Sequence, residues 1–315
     1  MKKILNVASS PHLRHPDTTR GIMLDVLIAL IPVSIYGCFA FGLRAALVLA
    51  VTVASAFVFE FLWNVLLKKP QSAFDLSALV TGLILGLNLP STIPLWMAVI
   101  GSFIAIVVVK QFFGGIGHNF ANPAMTARIA LMVSFPAAMT ASAFVEPFTL
   151  DAVTSPTPLA SITASEETLL TVKDAFFGIQ RGCIGETSAF LLIVGGLYLI
   201  VRRVINPIIP LTFIGTAAIG SLIAGQDVCL TVFSGGLMLG AIFMATDYTT
   251  SPTTNLGKVI FGVGCGLITF IIRTFGALPE GVSYSILIMN ILVPYINRLT
   301  ERKPFGFIKA KEGKN

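Results

Sequence analysis

The chain is a series of long apolar stretches separated by short polar links. Between Val26 and Phe59, for example, the only charged residue is Arg44. One straight helix of that length would measure roughly 50 Å, whereas the hydrocarbon core of a bilayer is about 30 Å thick. Gly42 and Arg44 therefore predict a turn between two membrane-spanning helices.

The same reading along the whole chain predicts an all-α, polytopic membrane protein with about ten transmembrane helices. The predicted spans are 22–41, 45–67, 73–89, 95–109, 123–139, 189–201, 207–224, 230–245, 259–272 and 282–296. They divide the chain into an N-terminal segment (1–20), a five-helix unit (21–140), a polar loop (141–188), a second five-helix unit (189–297) and a basic tail (298–315).

The two five-helix units resemble each other. The same spacing separates Gly82 from Pro94 and Gly240 from Pro252, and a Lys-Gln-Phe triplet at Lys110 is matched by Arg-Thr-Phe at Arg273. An odd number of spans in each repeat predicts that the second copy is inverted in the membrane.

Loops rich in Pro, Asn and Asp follow the third and eighth spans, at 88–94 and 247–252, and suggest that these helices are discontinuous. Backbone of that kind is tolerated at membrane depth only against protein or a cavity.

Composition and charge agree with this interpretation. Hydrophobic residues make up 55% of the chain and charged residues 11%, and the mean hydropathy is +0.87. The formal net charge of +6 does not indicate nucleic-acid binding, because the basic residues are scattered at the ends of the spans. Their distribution predicts cytoplasmic termini and an outward-facing 141–188 loop.

The 141–188 loop contains Asp151, Thr154 and Thr157, with Pro158 directly after the last. Thr followed by Pro is typical of a helix start, where free backbone N–H groups would suit a phosphate joined to the threonine oxygen. By itself the pattern favours an ordinary capping threonine, because the local signal for a phosphate is weak.

Four motifs together identify a resemblance. They are Ser10-Pro-His, the run from Gly117 to Met125, the Asp151 to Thr157 motif, and the run from Glu280 to Tyr284. In matching order along nearly the whole chain, they resemble the family that contains the D subunit of the Rnf complex and the B subunit of the sodium-pumping NADH:quinone oxidoreductase.

The resemblance implies covalent FMN on Thr157 through a phosphoester, installed by a flavin transferase outside the membrane. The family motif is Asp-x-x-Ser/Thr-Gly-Ala-Thr. Asp151, Thr154 and Thr157 match it, whereas Ser155 replaces Gly and Pro156 replaces Ala. A proline beside the acceptor removes an N–H group and stiffens the loop, which puts recognition by the transferase in question.

The resemblance also implies a non-covalent flavin, usually riboflavin, near the glycine-rich run from Gly114 to Pro123. This run contains Asn119 and Asn122. Glycines let backbone approach a planar ring, and the two amides offer donors and acceptors to its polar edge. Capping of the helix that begins at Pro123 is the alternative role for these asparagines. His118 has no second His or carboxylate at metal spacing, so no metal site is predicted.

Five charged residues lie in or beside apolar segments. We expect Asp25 and Glu60 each to pair with an opposite charge near the membrane interface. We expect Arg128 to neutralise a nearby acid. For Asp75 and Asp247, contact with a flavin or cation and helix capping remain open alternatives.

By resemblance, the function is that of a flavin-carrying subunit which relays electrons between ferredoxin and NAD in a complex that moves Na⁺ or H⁺. The implied partners are Rnf subunits A, B, C, E and G. The chain has no dinucleotide-binding fingerprint and no cysteine cluster, so the NAD, ferredoxin and iron–sulfur functions are expected in those subunits, and no residue here is expected to be catalytic alone. The alternative function is an inverted-repeat channel or transporter without a redox cofactor.

Overall fold

A computed structural model describes residues 18–139, 144–145, 147–148, 171–276 and 281–301. Every regular element in these ranges is a helix, which confirms the predicted all-α class. Asp151, Thr154 and Thr157 lie outside the described residues, as do most of the predicted N-terminal segment and basic tail.

The helices of the first predicted unit follow one another with short links. They are α1 (Thr19–Phe41), α2 (Leu43–Leu66), a 3-10 turn (Ala73–Asp75), α3 (Ser77–Leu87), α4 (Leu95–Phe103) continued by a π-helical segment (Ile104–Gln111), α5 (Pro123–Ser134) and α6 (Pro136–Met139). Gly42 forms the turn between α1 and α2 with a φ of 75°, as the sequence predicts.

The later helices begin with a short one that precedes the second predicted unit. They are α7 (Val172–Phe177), α8 (Ala189–Val201), α9 (Ile208–Ile223), α10 (Val228–Phe233), α11 (Leu237–Leu239) continued by a π-helical segment (Gly240–Met244), α12 (Asn255–Phe275) and α13 (Val282–Thr300).

Each predicted span coincides with one of these helices or with a consecutive pair of them. Among the described residues, four helices are long and apolar enough to cross a bilayer, namely α1, α2, α12 and α13. The described chain is therefore that of a multi-pass membrane protein. On α1 the exposed face is as apolar as the buried one, as expected for a helix in contact with lipid. That face presents Leu24, Ile28, Ile31, Ile35 and Phe39.

The third and eighth spans are discontinuous, as predicted. Leu76, with a left-handed φ of 67°, separates the 3-10 turn from α3. Gly235, with a φ of 69°, lies between α10 and α11. Both breaks precede the main helical part of the span, whereas the sequence pointed to the loops that follow it.

A buried basic residue lies against each break. The Lys110 Nζ donates to Ser77 Oγ at 2.7 Å, at the start of α3. The Arg273 guanidinium donates to the carbonyls of Thr231 at 2.8 Å and Ser234 at 3.5 Å, beside the second break. The two residues that the predicted repeat aligns, Lys110 and Arg273, thus each contact a break in a span.

The ends of the two discontinuous spans meet inside the protein. Asn88, just after α3, contacts the Met244 sulfur at 3.8 Å through its Nδ2, and both residues are buried. The irregular backbone at 88–91 is buried throughout, as expected for non-helical chain at membrane depth.

Arg128 on α5 neutralises an acid, as predicted, and that acid is Glu186. Its guanidinium lies 3.1 Å from the Glu186 Oε1 and donates to Asn88 Oδ1 at 2.6 Å. Both charged side chains are 2% exposed. The last part of the predicted outer loop therefore folds into the core, where the N–H groups of Ile184 and Gly185 donate to carbonyls at the end of the third span.

The predicted pairing of Asp25 is confirmed, because its carboxylate lies 3.2 Å from Arg202, which is 57% exposed. The prediction for Glu60 is only half right. Glu60 pairs with Lys110 at 2.6 Å, but the pair is 0% and 3% exposed and thus lies in the interior. The interfacial placement was wrong because α4 and its π-helical continuation pack on α2 and cover Glu60.

Candidate functional site

A cavity of about 800 Å³, counted with its open mouth, lies between the two discontinuous spans. Its apolar walls include Ile22 and Val26 of α1, Val80 and Ile84 of α3, and Phe243 of the second π-helical segment. A largely apolar cleft with a few convergent polar groups is typical of ligand-binding sites in proteins.

The polar groups of the cavity come from separate parts of the chain. The structure brings Asn119, Asn122 and Asp247, which the sequence singled out, to this one cavity. Other polar side chains of its wall, not predicted from the sequence, include Ser77, Lys110, Thr246, Tyr248 and Thr249.

Asn119 lies in the loop between the first π-helical segment and α5. Its Nδ2 donates to Thr249 Oγ1 at 3.2 Å, which links the loop to the opposite half of the chain. Its Oδ1 is buried and has no hydrogen-bond partner in the described protein. A buried acceptor without a donor is costly, so this oxygen is suited to an N–H group of a ligand.

The glycines of the same loop have a conformational role. Gly114, Gly115 and Gly117 adopt backbone φ angles of 118°, 95° and 89°, which residues other than glycine rarely adopt. They turn the chain so that Asn119 reaches the cavity. Ile116, which lies between these glycines, also lines the cavity.

Asn122 serves as the N-cap of α5. Its Oδ1 accepts from the backbone N–H groups of Ala124 and Met125 at 3.1 and 3.2 Å, and its Nδ2 donates to the Met244 carbonyl at 3.2 Å. The capping role that the sequence left open is thus present, and the residue shapes the cavity wall at the same time. The Asn290 amide completes this arrangement. Its oxygen accepts from the Asn122 N–H at 3.0 Å, and its nitrogen donates to the Thr250 carbonyl at 3.1 Å.

Asp247 holds the loop after the second π-helical segment. Its carboxylate accepts from the Thr249 N–H at 3.2 Å and from the hydroxyls of Thr249 at 2.9 Å and Thr250 at 3.3 Å. Burial raises the pKa of this carboxyl above its ordinary value, although the donors from Thr249 and Thr250 act in the opposite direction. Asp75 lies in the 3-10 turn before α3 and does not line the cavity.

Lys110 lies at the end of a predicted span, and its place in the cavity wall is not predicted from the sequence. The signal was present, because both Lys110 and Glu60 adjoin long apolar stretches where an unpaired charge is expensive. Only the packing of α2 against the first π-helical segment shows that the two compensate each other.

Comparison with known proteins gives a match over nearly the entire chain. Residues 6–306 match the family described as "NQR2, RnfD, RnfE family". Among the similar proteins, the D subunit of the Na(+)-translocating ferredoxin:NAD(+) oxidoreductase complex of Acetobacterium woodii is 48% identical over 98% of this chain and 97% of its own length.

Two further relatives carry related names. The D subunit of the proton-translocating ferredoxin:NAD(+) oxidoreductase complex of Clostridium ljungdahlii is 41% identical, with 97% of each chain covered. The D subunit of an ion-translocating oxidoreductase complex of Stutzerimonas stutzeri is 37% identical over 90% of this chain and 91% of its own length.

Proposed function

Because the chain belongs to the NQR2, RnfD, RnfE family, we propose that it is the D subunit of an ion-translocating ferredoxin:NAD⁺ oxidoreductase complex. In this role it is a membrane-embedded, flavin-carrying relay that acts only within the assembled enzyme. The single observation that best supports this function is the near-complete coverage by relatives that bear this name, at up to 48% identity.

The first flavin is covalent FMN, joined through its phosphate to the hydroxyl of Thr157. The support is the family membership together with the Asp151, Thr154 and Thr157 pattern. The attachment requires a flavin transferase. In the topology predicted from the basic residues, Thr157 faces outward and both termini are cytoplasmic.

The second flavin is a non-covalent riboflavin in the cavity between the discontinuous spans. The residues present fit such a group, because the walls are apolar and Asn119 presents a buried oxygen without a donor. When bound, a flavin supplies one- and two-electron chemistry that the side chains of this protein do not offer.

The protein's own residues bind and orient the ring system. The side chains of Ile22, Val26 and Ile84 exclude water from its apolar part. The Asn119 Oδ1 would accept from a ring N–H group, while the Thr249 hydroxyl accepts from the Asn119 Nδ2 and holds the amide in place. Asn122 and Asp247 fix the backbone on either side of the cavity through their hydrogen bonds to neighbouring residues.

The implied partners are the remaining Rnf subunits A, B, C, E and G, which contribute the reactions with NAD and ferredoxin, the iron–sulfur centres and a second covalent FMN. The ion moved is Na⁺ or H⁺.

Fluorescence of the denatured protein tests the proposal. The protein is produced in a host that has the flavin transferase, separated by denaturing electrophoresis and viewed under ultraviolet light. We expect a fluorescent wild-type band, an equally fluorescent Ser161→Ala control and a dark Thr157→Val variant. A dark wild-type band would favour the alternative, a channel or transporter without a redox cofactor.

A further inference from the structure

The buried pair between Lys110 and Glu60 has a defined orientation relative to the cavity. Lys110 Nζ lies 2.6 Å from Glu60 Oε2, and the two side chains are 3% and 0% exposed. Lys110 is part of the cavity wall, whereas Glu60 is not. Of this pair, Lys110 therefore contributes to the cavity wall and Glu60 lies behind it.

Glu60 is held in that position by its own hydrogen bonds. Its Oε1 accepts from Ser72 Oγ at 2.7 Å, and Ser72 in turn accepts from Asn64 Nδ2 at 3.0 Å. Both carboxylate oxygens are thus engaged, and the carboxylate cannot turn toward the cavity without losing these bonds.

Lys110 retains a donor for a ligand. An ammonium group has three N–H donors. Within the described part of the chain, Lys110 uses two of them, for Glu60 at 2.6 Å and for Ser77 Oγ at 2.7 Å. Ser77 also lines the cavity, so the remaining N–H belongs to an ammonium that borders the space where a ligand would lie.

The energetic cost of the pair argues that it does more than hold helices together. A buried ion pair is often no more stabilising than an apolar pair of the same size. In the second half of the chain, Arg273 contacts the equivalent break through backbone carbonyls at Thr231 and Ser234. The structural task at a break thus does not require an ammonium group directed at a cavity.

We propose that Lys110 is the residue that makes the cavity bind the reduced form of a flavin more tightly than the oxidised form. This inference rests on the proposed non-covalent flavin. Uptake of two electrons and one proton turns the neutral ring system into a monoanion, with the negative charge at its N1 and C2 carbonyl edge. The charge of the Lys110 ammonium would attract the monoanion more strongly than the neutral ring, because charges interact more strongly at a low dielectric constant.

Redox titration of bound riboflavin tests the proposal without relying on enzyme turnover. The experiment uses the full chain with Thr157→Val, so that covalent FMN does not contribute to the signal. Riboflavin is added to the purified protein, its affinity is measured by fluorescence quenching, and its midpoint potential is measured spectrophotometrically with dithionite as the electron donor.

The informative variant is Lys110→Gln combined with Glu60→Gln, which removes both charges of the pair together. We expect it to bind oxidised riboflavin within about threefold of the parent protein and the reduced form about tenfold more weakly, a fall in potential of about 30 mV. Lys110→Arg retains the charge and is expected to keep the parent potential. Arg273→Gln, which removes the equivalent cation away from the cavity, is expected to keep it too.

The possible outcomes separate this inference from the proposed function. If the double variant still binds riboflavin and its midpoint potential is unchanged, the proposed role of Lys110 is overturned, whereas the cavity remains a flavin site. An equal fall in Arg273→Gln would also overturn it, because the effect would then be structural. A parent protein that binds no riboflavin would reject the cavity as a flavin site, and this inference with it.

Discussion

Replacement of Glu186 by Gln should destabilise the fold strongly, because it breaks a deeply buried ion pair that holds the end of the 141–188 loop in the core. Glu186 and Arg128 are each 2% exposed, and their closest nitrogen and oxygen atoms are 3.1 Å apart. The change removes the negative charge of the pair, while the guanidinium of Arg128 stays buried.

The size of the effect follows from burial. Breaking a buried pair by removing one partner costs about 3–5 kcal/mol, and Gln, which still offers an acceptor, places the expected loss near 3 kcal/mol. That is roughly a hundredfold change in the equilibrium constant of unfolding. The pair between Asp25 and Arg202 gives a matched control, since Arg202 is 57% exposed and such pairs contribute about 0–1 kcal/mol.

The assay is reversible unfolding in mixed micelles, followed by circular dichroism, for Glu186→Gln and Asp25→Asn side by side. Removal of both charges in Arg128→Met with Glu186→Leu should restore most of the loss, except for about 1 kcal/mol from the Asn88 oxygen that Arg128 now satisfies. Equal losses in the two single variants would refute the reasoning, as would a double variant that is no more stable than Glu186→Gln.

Three further predictions follow from the same contacts. Asn119→Leu should weaken riboflavin binding about tenfold in equilibrium titrations, because the ligand loses the acceptor at Oδ1, and unchanged affinity would remove this residue from the site. Gly82→Ala should lower the free energy of unfolding by about 1–3 kcal/mol, because a Cβ there would lie 2.8 Å from the Thr52 carbonyl oxygen. Gly215→Ala is the control: a Cβ there has nothing within 4 Å, so the free energy of unfolding should change by no more than about 0.5 kcal/mol. Burial raises the pKa of Asp247 in the folded protein, so the contribution of this carboxyl to stability should fall as the pH rises from its ordinary value of 3.8 through its folded pKa. Asp247→Asn should remove that contribution, which unfolding of the two proteins measured across pH will check.

The membrane architecture could be predicted because lipid imposes simple rules on the sequence. A span needs about twenty apolar residues, which placed the helices, and a polar or glycine-rich interruption marks a turn, which placed Gly42. The discontinuity of the third and eighth spans also followed from the sequence. The position of each break did not, because Leu76 carries no conformational signal of its own and adopts a positive φ only in the folded chain.

Partners that lie far apart in the sequence could not be predicted. Arg128 was expected to meet an acid, but Glu186 was assigned to a solvent-facing loop, since nothing in the sequence shows that 180–188 packs against the end of α3. Glu60 and Lys110 are separated by 50 positions, and only tertiary packing brings them together. The cavity residues Asn119 and Asp247 were identified individually, whereas the space they share is a property of the fold.

Mass spectrometry of the proteolytic fragment that contains Thr157 tests the central claim, that this subunit carries flavin, most directly. The protein is purified from a cell that contains the flavin transferase and is digested without reduction of the flavin. The account predicts a fragment heavier by one FMN joined through a phosphoester, with the fragmentation pattern locating the added mass on Thr157. A fully recovered fragment with an unmodified Thr157 would contradict it.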